Sequence, residues 1–326
     1  MSDSSKYVDP WQEYKFISGK LKRRFMRKPN LSEASREFRD LARRLHEDEQ
    51  CDQYAALCHL AAARCENQSG NHLGENDGLK KAAKFFMSVQ EKHEHLGLPG
   101  FRENLAAAIH CYSHAVRTHL EAKQYALAGH VCMELGAHLV QLGNTAEAAE
   151  YYQKAVRYLD AEPNGKCRAL WNLAECQTDC DQPHDALATL DELWATLLKL
   201  DTTTTTSSAP TTAVTWRHEM LRDVQIGTLL LLVHMRSLPQ HMTERHATLY
   251  TQYCTVQAHD EPLPTDTYMH ENDYLLLQSF VLAVQWRDAA MADRALTDLL
   301  YRLKALHSTL AIDVVEKLYL DEYDVE

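Results

Sequence analysis

Residues 129–162 read GHVCMELGAHLVQLGNTAEAAEYYQKAVRYLDAE, two apolar-periodic runs on either side of Gly143-Asn144. In the first run Leu135-Gly136 is followed by Leu139; in the second, Ala148, Tyr152 and Ala155 return at three- and four-residue intervals. That period is helical, and the Gly-Asn step ends one helix and opens the next. Small residues at the crossing let two antiparallel helices approach closely, and large ones fill the groove of the neighbouring pair.

A degenerate copy of the same unit lies downstream, with Leu173-Ala174 in place of Leu-Gly, Asp181 at the turn, and Ala186 and Leu190 beyond it. This is the tetratricopeptide pattern. Around it the chain is helical almost throughout, since Gly and Pro are scarce and alternating strand patterns are absent. Helices are expected over 9–28, 31–49, 51–68, 78–96, 102–122, 124–142, 145–160, 165–180, 183–200, 216–236, 242–259, 270–286, 288–305 and 308–322. The fold class is therefore all-α, a tetratricopeptide-like helical-hairpin solenoid of about fourteen helices. Two stretches break the regularity. Residues 67–78, NQSGNHLGENDG, have the composition of a surface loop. Residues 201–215, DTTTTTSSAPTTAVT, cannot bury an apolar face and read as a mobile linker. The expected organisation is an amino-terminal array over 1–200, the linker over 201–215, and a carboxy-terminal helical block with an acidic tail over 216–326.

The 326 residues carry 34 Lys and Arg against 46 Asp and Glu, a net charge of −12, with 45% apolar residues. Such a chain can bury a sizeable core and is not wholly disordered. Its acidity argues against general nucleic-acid binding, which needs a cationic face. No run reaches the roughly 20 apolar residues of a membrane-spanning helix. The opening MSDSSKYVDP has no secretory pattern, which makes the cytoplasm the default location. Cys51, Cys58 and Cys65 recur at every seventh position of an Ala-rich helical pattern, the spacing of reduced thiols on one helix face instead of a disulfide framework. Signatures of nucleophile elbows, phosphate loops, dinucleotide folds and helical zinc sites are missing. His110 with His114, and Cys176 with Cys180 and His184, have thinkable ligand spacing. The first pair lacks a third partner, and Pro183 breaks the helix between the others. No enzyme, cofactor or metal is expected.

Three features point to partners. Residues 15–28, KFISGKLKRRFMRK, carry Lys20, Lys22, Arg23, Arg24, Arg27 and Lys28 with no acid among them, and Ile17, Leu21 and Phe25 on one face. Such a basic amphipathic helix suits a membrane surface, calmodulin or nucleic acid, and equally a terminal helix docked on the first hairpin. At the other end Asp313, Glu316, Asp321, Glu322, Asp324 and Glu326 face a single Lys317. Between them, the helices 216–236 and 270–286 are apolar almost all round; the second holds Leu275, Leu276, Leu277 and Phe280. A solenoid helix needs one apolar stripe, so both must be covered on the other side, by a folded-back bundle or, the expectation preferred here, by another protein.

The run KLKRRFMRKPNLSEASREF at 20–38, YAALCHLAAARC at 54–65, the tetratricopeptide-like centre, the low-complexity insert and YLLLQSFVLA at 274–283 come in an order that resembles the 40-kDa huntingtin-associated protein family. Residues 20–30 are the most specific part, and the chain resembles a divergent member of invertebrate type. The resemblance implies a non-enzymatic solenoid that binds huntingtin, wedged between its HEAT-repeat arrays and connecting bridge. It implies apolar contact with the arrays and an acidic carboxy-terminal region meeting a basic bridge surface. It also implies links to the small GTPase Rab5 and early-endosome motility, and leaves a nuclear location open. The rival expectation is a peptide-binding trafficking adaptor whose basic first helix sits on anionic lipid.

Overall fold

A computed structural model of the chain describes residues 9–22, 29–48, 50–98, 100–204, 211–236, 242–255 and 268–323. The described residues form fourteen α-helices and no strand. They divide into two compact units, Met1–Glu162 and Pro163–Glu326.

The first unit holds α1 (Pro10–Lys20), α2 (Leu31–Glu47), α3 (Asp52–Ser69), α4 (His72–His95), α5 (Glu103–Glu121), α6 (Tyr125–Gln141) and α7 (Thr145–Tyr158). Each helix packs on the next in sequence, the nearest-neighbour arrangement of stacked hairpins. Ile17, Phe38, Leu41, Leu45, Cys58 and Ala62 form one buried cluster joining α1, α2 and α3. Polar staples reinforce it: the buried Asp52 carboxylate lies 2.6 Å from His46 Nδ1 and 2.5 Å from Lys92 Nζ, tying α2, α3 and α4 together.

Residues 67–78 differ from the expected loop. The α3–α4 connection is only Gly70 and Asn71: Gly70 ends α3 in a left-handed conformation, and the Asn71 side chain accepts from the Gly74 amide to open α4. Gly78 is helical because α3 crosses there; a Cβ on it would lie 2.9 Å from that of Ala63. Small residues that composition assigns to a loop serve instead a close helix crossing. The α6–α7 hairpin uses the same device where the sequence pattern placed it. A Cβ on Gly136 would meet the buried Tyr152 ring at 2.7 Å, and one on Gly129 would meet Leu159 at 2.6 Å.

The second unit holds α8 (Pro163–Asp179), α9 (Pro183–Thr204), α10 (Thr211–His234), α11 (Glu244–Cys254), α12 (Glu271–Gln285), α13 (Ala289–Leu299) with a 3-10 turn at Leu300–Arg302, and α14 (Ala305–Tyr323). Leu173, Ala174, Ala186 and Leu190 are buried, and Asp181 takes a positive φ at the turn, as the degenerate repeat copy predicts. The compact division falls at 162/163 and not at 201–215, because α8 and α9 pack with the helices that follow them. Helices α9 and α10 extend to Thr204 and from Thr211; residues 205–210 lie outside the described residues.

The apolar excess of 216–236 is covered by the chain itself. Leu221, Val224, Ile226 and Leu229 through Val233 are all buried, with α9, α11 and α14 packed around α10. Helix α14 also touches α8, α12 and α13, so the carboxy-terminal helices close into a bundle. The expectation that a partner must cover α10 is corrected accordingly. Six buried thiols are spread through both units: Cys58 and Cys65 in α3, Cys111 in α5, Cys132 in α6, and Cys167 and Cys176 in α8. Burial pushes Cys58 and Cys132 up to about 12 and Cys111 and Cys167 to about 11.

Candidate partner-binding surfaces

Helix α1 begins where Asp9 accepts from the Trp11 amide at 3.1 Å, with Pro10 in the first turn. Ile17 turns into the core, whereas Trp11 and Phe16 stay exposed. Trp11 and Tyr14 stack at 5.3 Å, and Tyr14 meets Phe38 at 5.2 Å. Beside them runs a groove of about 530 Å³ lined by Trp11, Tyr14, Leu45, Cys51, Tyr54 and Leu57. Of the basic residues singled out here, Lys20 does meet an acid: its Nζ lies 2.5 Å from Glu37 Oε1 and 4.8 Å over the Phe16 ring. That acid comes from α2 and is invisible in the local sequence. Lys22 is exposed, and Arg23, Arg24, Phe25, Arg27 and Lys28 lie outside the described residues.

On α12 the structure separates the four apolar candidates. Leu277 and Phe280 are 1% and 0% exposed, packed inside the second unit, and cannot reach a partner without unfolding it. Tyr274, whose ring lies 4.6 Å from that of Tyr253, belongs to the same buried side. Leu276 is half-buried and Leu275 is 48% exposed. Helical periodicity aligns Leu275 with Leu282 and Trp286, the last 63% exposed, as an apolar stripe on the open side. A one-sided apolar stripe therefore replaces the helix expected to be covered all round.

Asp321, in the last turn of α14, pairs with Arg236 at 2.5 Å. A carboxylate at a helix C-terminus opposes the helix dipole, and the guanidinium offsets that. Glu322 lies on the same turn; Asp324 and Glu326 lie outside the described residues.

The sequence reading missed a third feature. Where α3, α4 and α5 meet, a groove of about 430 Å³ is lined by Leu60, Asn67, Glu75, Leu79, His110 and His114, with Arg64 alongside. Glu75 is 1% exposed. Its Oε1 accepts from Asn67 Nδ2 at 2.7 Å and lies 3.4 Å from His114 Nε2, while its buried Oε2 has no hydrogen-bond partner. The available signal was an acid four residues before Leu79, on the apolar face of a helix. It was lost when 67–78 read as a loop. Among the described residues, no group of three or more His, Cys, Asp or Glu side chains is placed to hold a metal ion, and no helix is long and apolar enough to cross a membrane.

No protein-family model matches the chain. It is similar to the 40-kDa huntingtin-associated protein of Rattus norvegicus and to that of Mus musculus, 41% identical to each over 167 residues. The match covers 50% of this chain and 44% of each relative, so it spans less than half the length of those curated proteins. The resemblance read from the sequence is borne out: across the matched residues the chain is a divergent relative of the 40-kDa huntingtin-associated proteins.

Proposed function

We propose that this chain is a non-enzymatic binding subunit that associates with huntingtin and stabilises its conformation. The observation that carries the reading is the 41% identity to relatives whose name records that association. Two surfaces support it. The Leu275–Leu282–Trp286 stripe offers exposed apolar area to a large partner, and the aromatic groove beside α1 offers a second anchor. Insertion of the helical units between the HEAT-repeat arrays of huntingtin is the geometry proposed, with the acidic end of α14 facing a basic surface. The complex then acts in the cytoplasm, with Rab5 on early endosomes as the site of recruitment.

Recovery of the tagged full chain from cytosol tests the reading. Huntingtin should come with it and stay through a high-salt wash, since apolar contacts are not screened by salt. Recovery of the chain without huntingtin, or holding only short peptides, would overturn it.

A further inference from the structure

We propose that the α4–α5 turn is an apolar anchor that seats Phe101 and Leu98 in an apolar pocket of the large partner protein. Phe101 is 100% exposed, the most open of the large apolar side chains among the described residues, and Leu96 and Leu98 near it are 71% and 51% exposed. The backbone that carries them is pinned on both sides. Helix α4 ends in a Schellman motif: the Leu98 amide donates to the His93 carbonyl at 2.9 Å and the Gly97 amide to the Glu94 carbonyl at 3.0 Å, with Gly97 at φ +61°. Across the turn Arg102 donates to Asn144 Oδ1 at 3.2 Å and lies 3.7 Å from Glu94 Oε1. In that motif the residue at Leu98 commonly packs on an apolar side chain one turn back; here those positions are Lys92 and His93, and the leucine stays open. Side chains presented on a pinned backbone have less freedom to lose on binding, the property of an anchor.

Charge and area select the occupant. Residues 91–103 carry two fixed cations, Lys92 and Arg102, against the carboxylates of Glu91, Glu94 and Glu103, and both cations are engaged, Lys92 by the buried Asp52 and Arg102 by Glu94. An anionic bilayer does not suit this turn, because so few apolar residues hold a membrane only with free cations beside them. A second copy does not suit it either: three side chains offer roughly 400 Å², where a stable interface takes about 800 Å² from each partner. The turn therefore belongs to a wider interface with a different protein, in which an aromatic ring filling a pocket supplies a large share of the hold. The anchor rests on reading the chain as a binding subunit, but the two fail separately.

The full chain with p-benzoyl-phenylalanine in place of Phe101 is irradiated in cytosol, and the digested product is read by mass spectrometry. The cross-link should fall on one apolar peptide of huntingtin. Phe101→Ala should leave the melting temperature unchanged, since the ring is fully exposed, and should release huntingtin about tenfold faster or more; Leu73→Ala, an open leucine at the other end of α4, should not. Unchanged release from Phe101→Ala, with huntingtin held by the wild-type chain, would overturn the anchor and leave the subunit reading in place. A wild-type chain that recovers no huntingtin would overturn the subunit reading, and the cross-link then decides the anchor: one identified apolar peptide of another protein keeps it, and a cross-link to a second copy, or none, removes it. Cross-linking to phosphatidylserine vesicles in preference to cytosolic protein would overturn a protein pocket as the occupant.

Discussion

His307 sits fully buried, its Nε2 donating to the Asp223 carbonyl at 2.9 Å and its ring edge-on to Trp171 at 5.7 Å. Burial drives its pKa down from the usual 6.5 to about 4, and His59 in the first unit falls to about 4 for the same reason. An unfolded imidazole takes a proton near pH 6.5, whereas these two stay neutral until about pH 4. The stability they contribute is thus complete above pH 6.5 and is lost as pH falls toward 4. Denaturant titrations at pH 7.5 and 5 should differ by about 2 kcal/mol per histidine. His307→Gln should flatten the dependence in the second unit. Identical curves at the two pH values would contradict the buried neutral state. At this scale the repeat positions were legible in the sequence: Gly136, Ala148 and Tyr152 act within one hairpin, where spacing reports contact. Glu75 and the Lys20–Glu37 pair were not, because their partners come from other helices that no local period reveals.

Helix α12 has a buried and an open side, and substitutions on the two should behave oppositely. Phe280→Ala removes a fully buried ring and should cost about 3–5 kcal/mol of stability in a thermal or denaturant measurement. Leu275→Ala with Trp286→Ala should change stability by about 0.5 kcal/mol or less each, yet reduce the huntingtin recovered. If the surface pair destabilised the fold as Phe280→Ala does, the stripe would be core and not interface. Periodicity located the helices themselves, including the α6–α7 and α8–α9 hairpins, since apolar spacing encodes which residues share a face. It could not say what covers a helix that is apolar all round. For α10 the answer is α9, α11 and α14, a long-range arrangement fixed by how the later helices return on the earlier ones.

Over the whole molecule the net charge of −12 is not evenly spread, and the carboxy-terminal acids are its most testable part. Reversing Asp321, Glu322 and Asp324 to lysine should weaken huntingtin binding at low salt, with the difference fading as salt rises. The change breaks the exposed Arg236–Asp321 pair as well, but such pairs are worth about 0–1 kcal/mol, so folding should survive. Affinity unchanged at low salt would remove the tail from the interface. The division of the chain was the least legible feature: low complexity at 201–215 suggested a boundary, whereas compactness depends on which helices find each other, and that places it at 162/163. One property of the interior then acquires a use. Cys58, Cys65, Cys111 and Cys132 lie inside the first unit, Cys167 and Cys176 inside the second, and all six are shielded from solvent. A thiol reagent therefore reaches them only when a unit opens, so their rates of labelling time the opening of each half separately and report which half a bound partner holds shut.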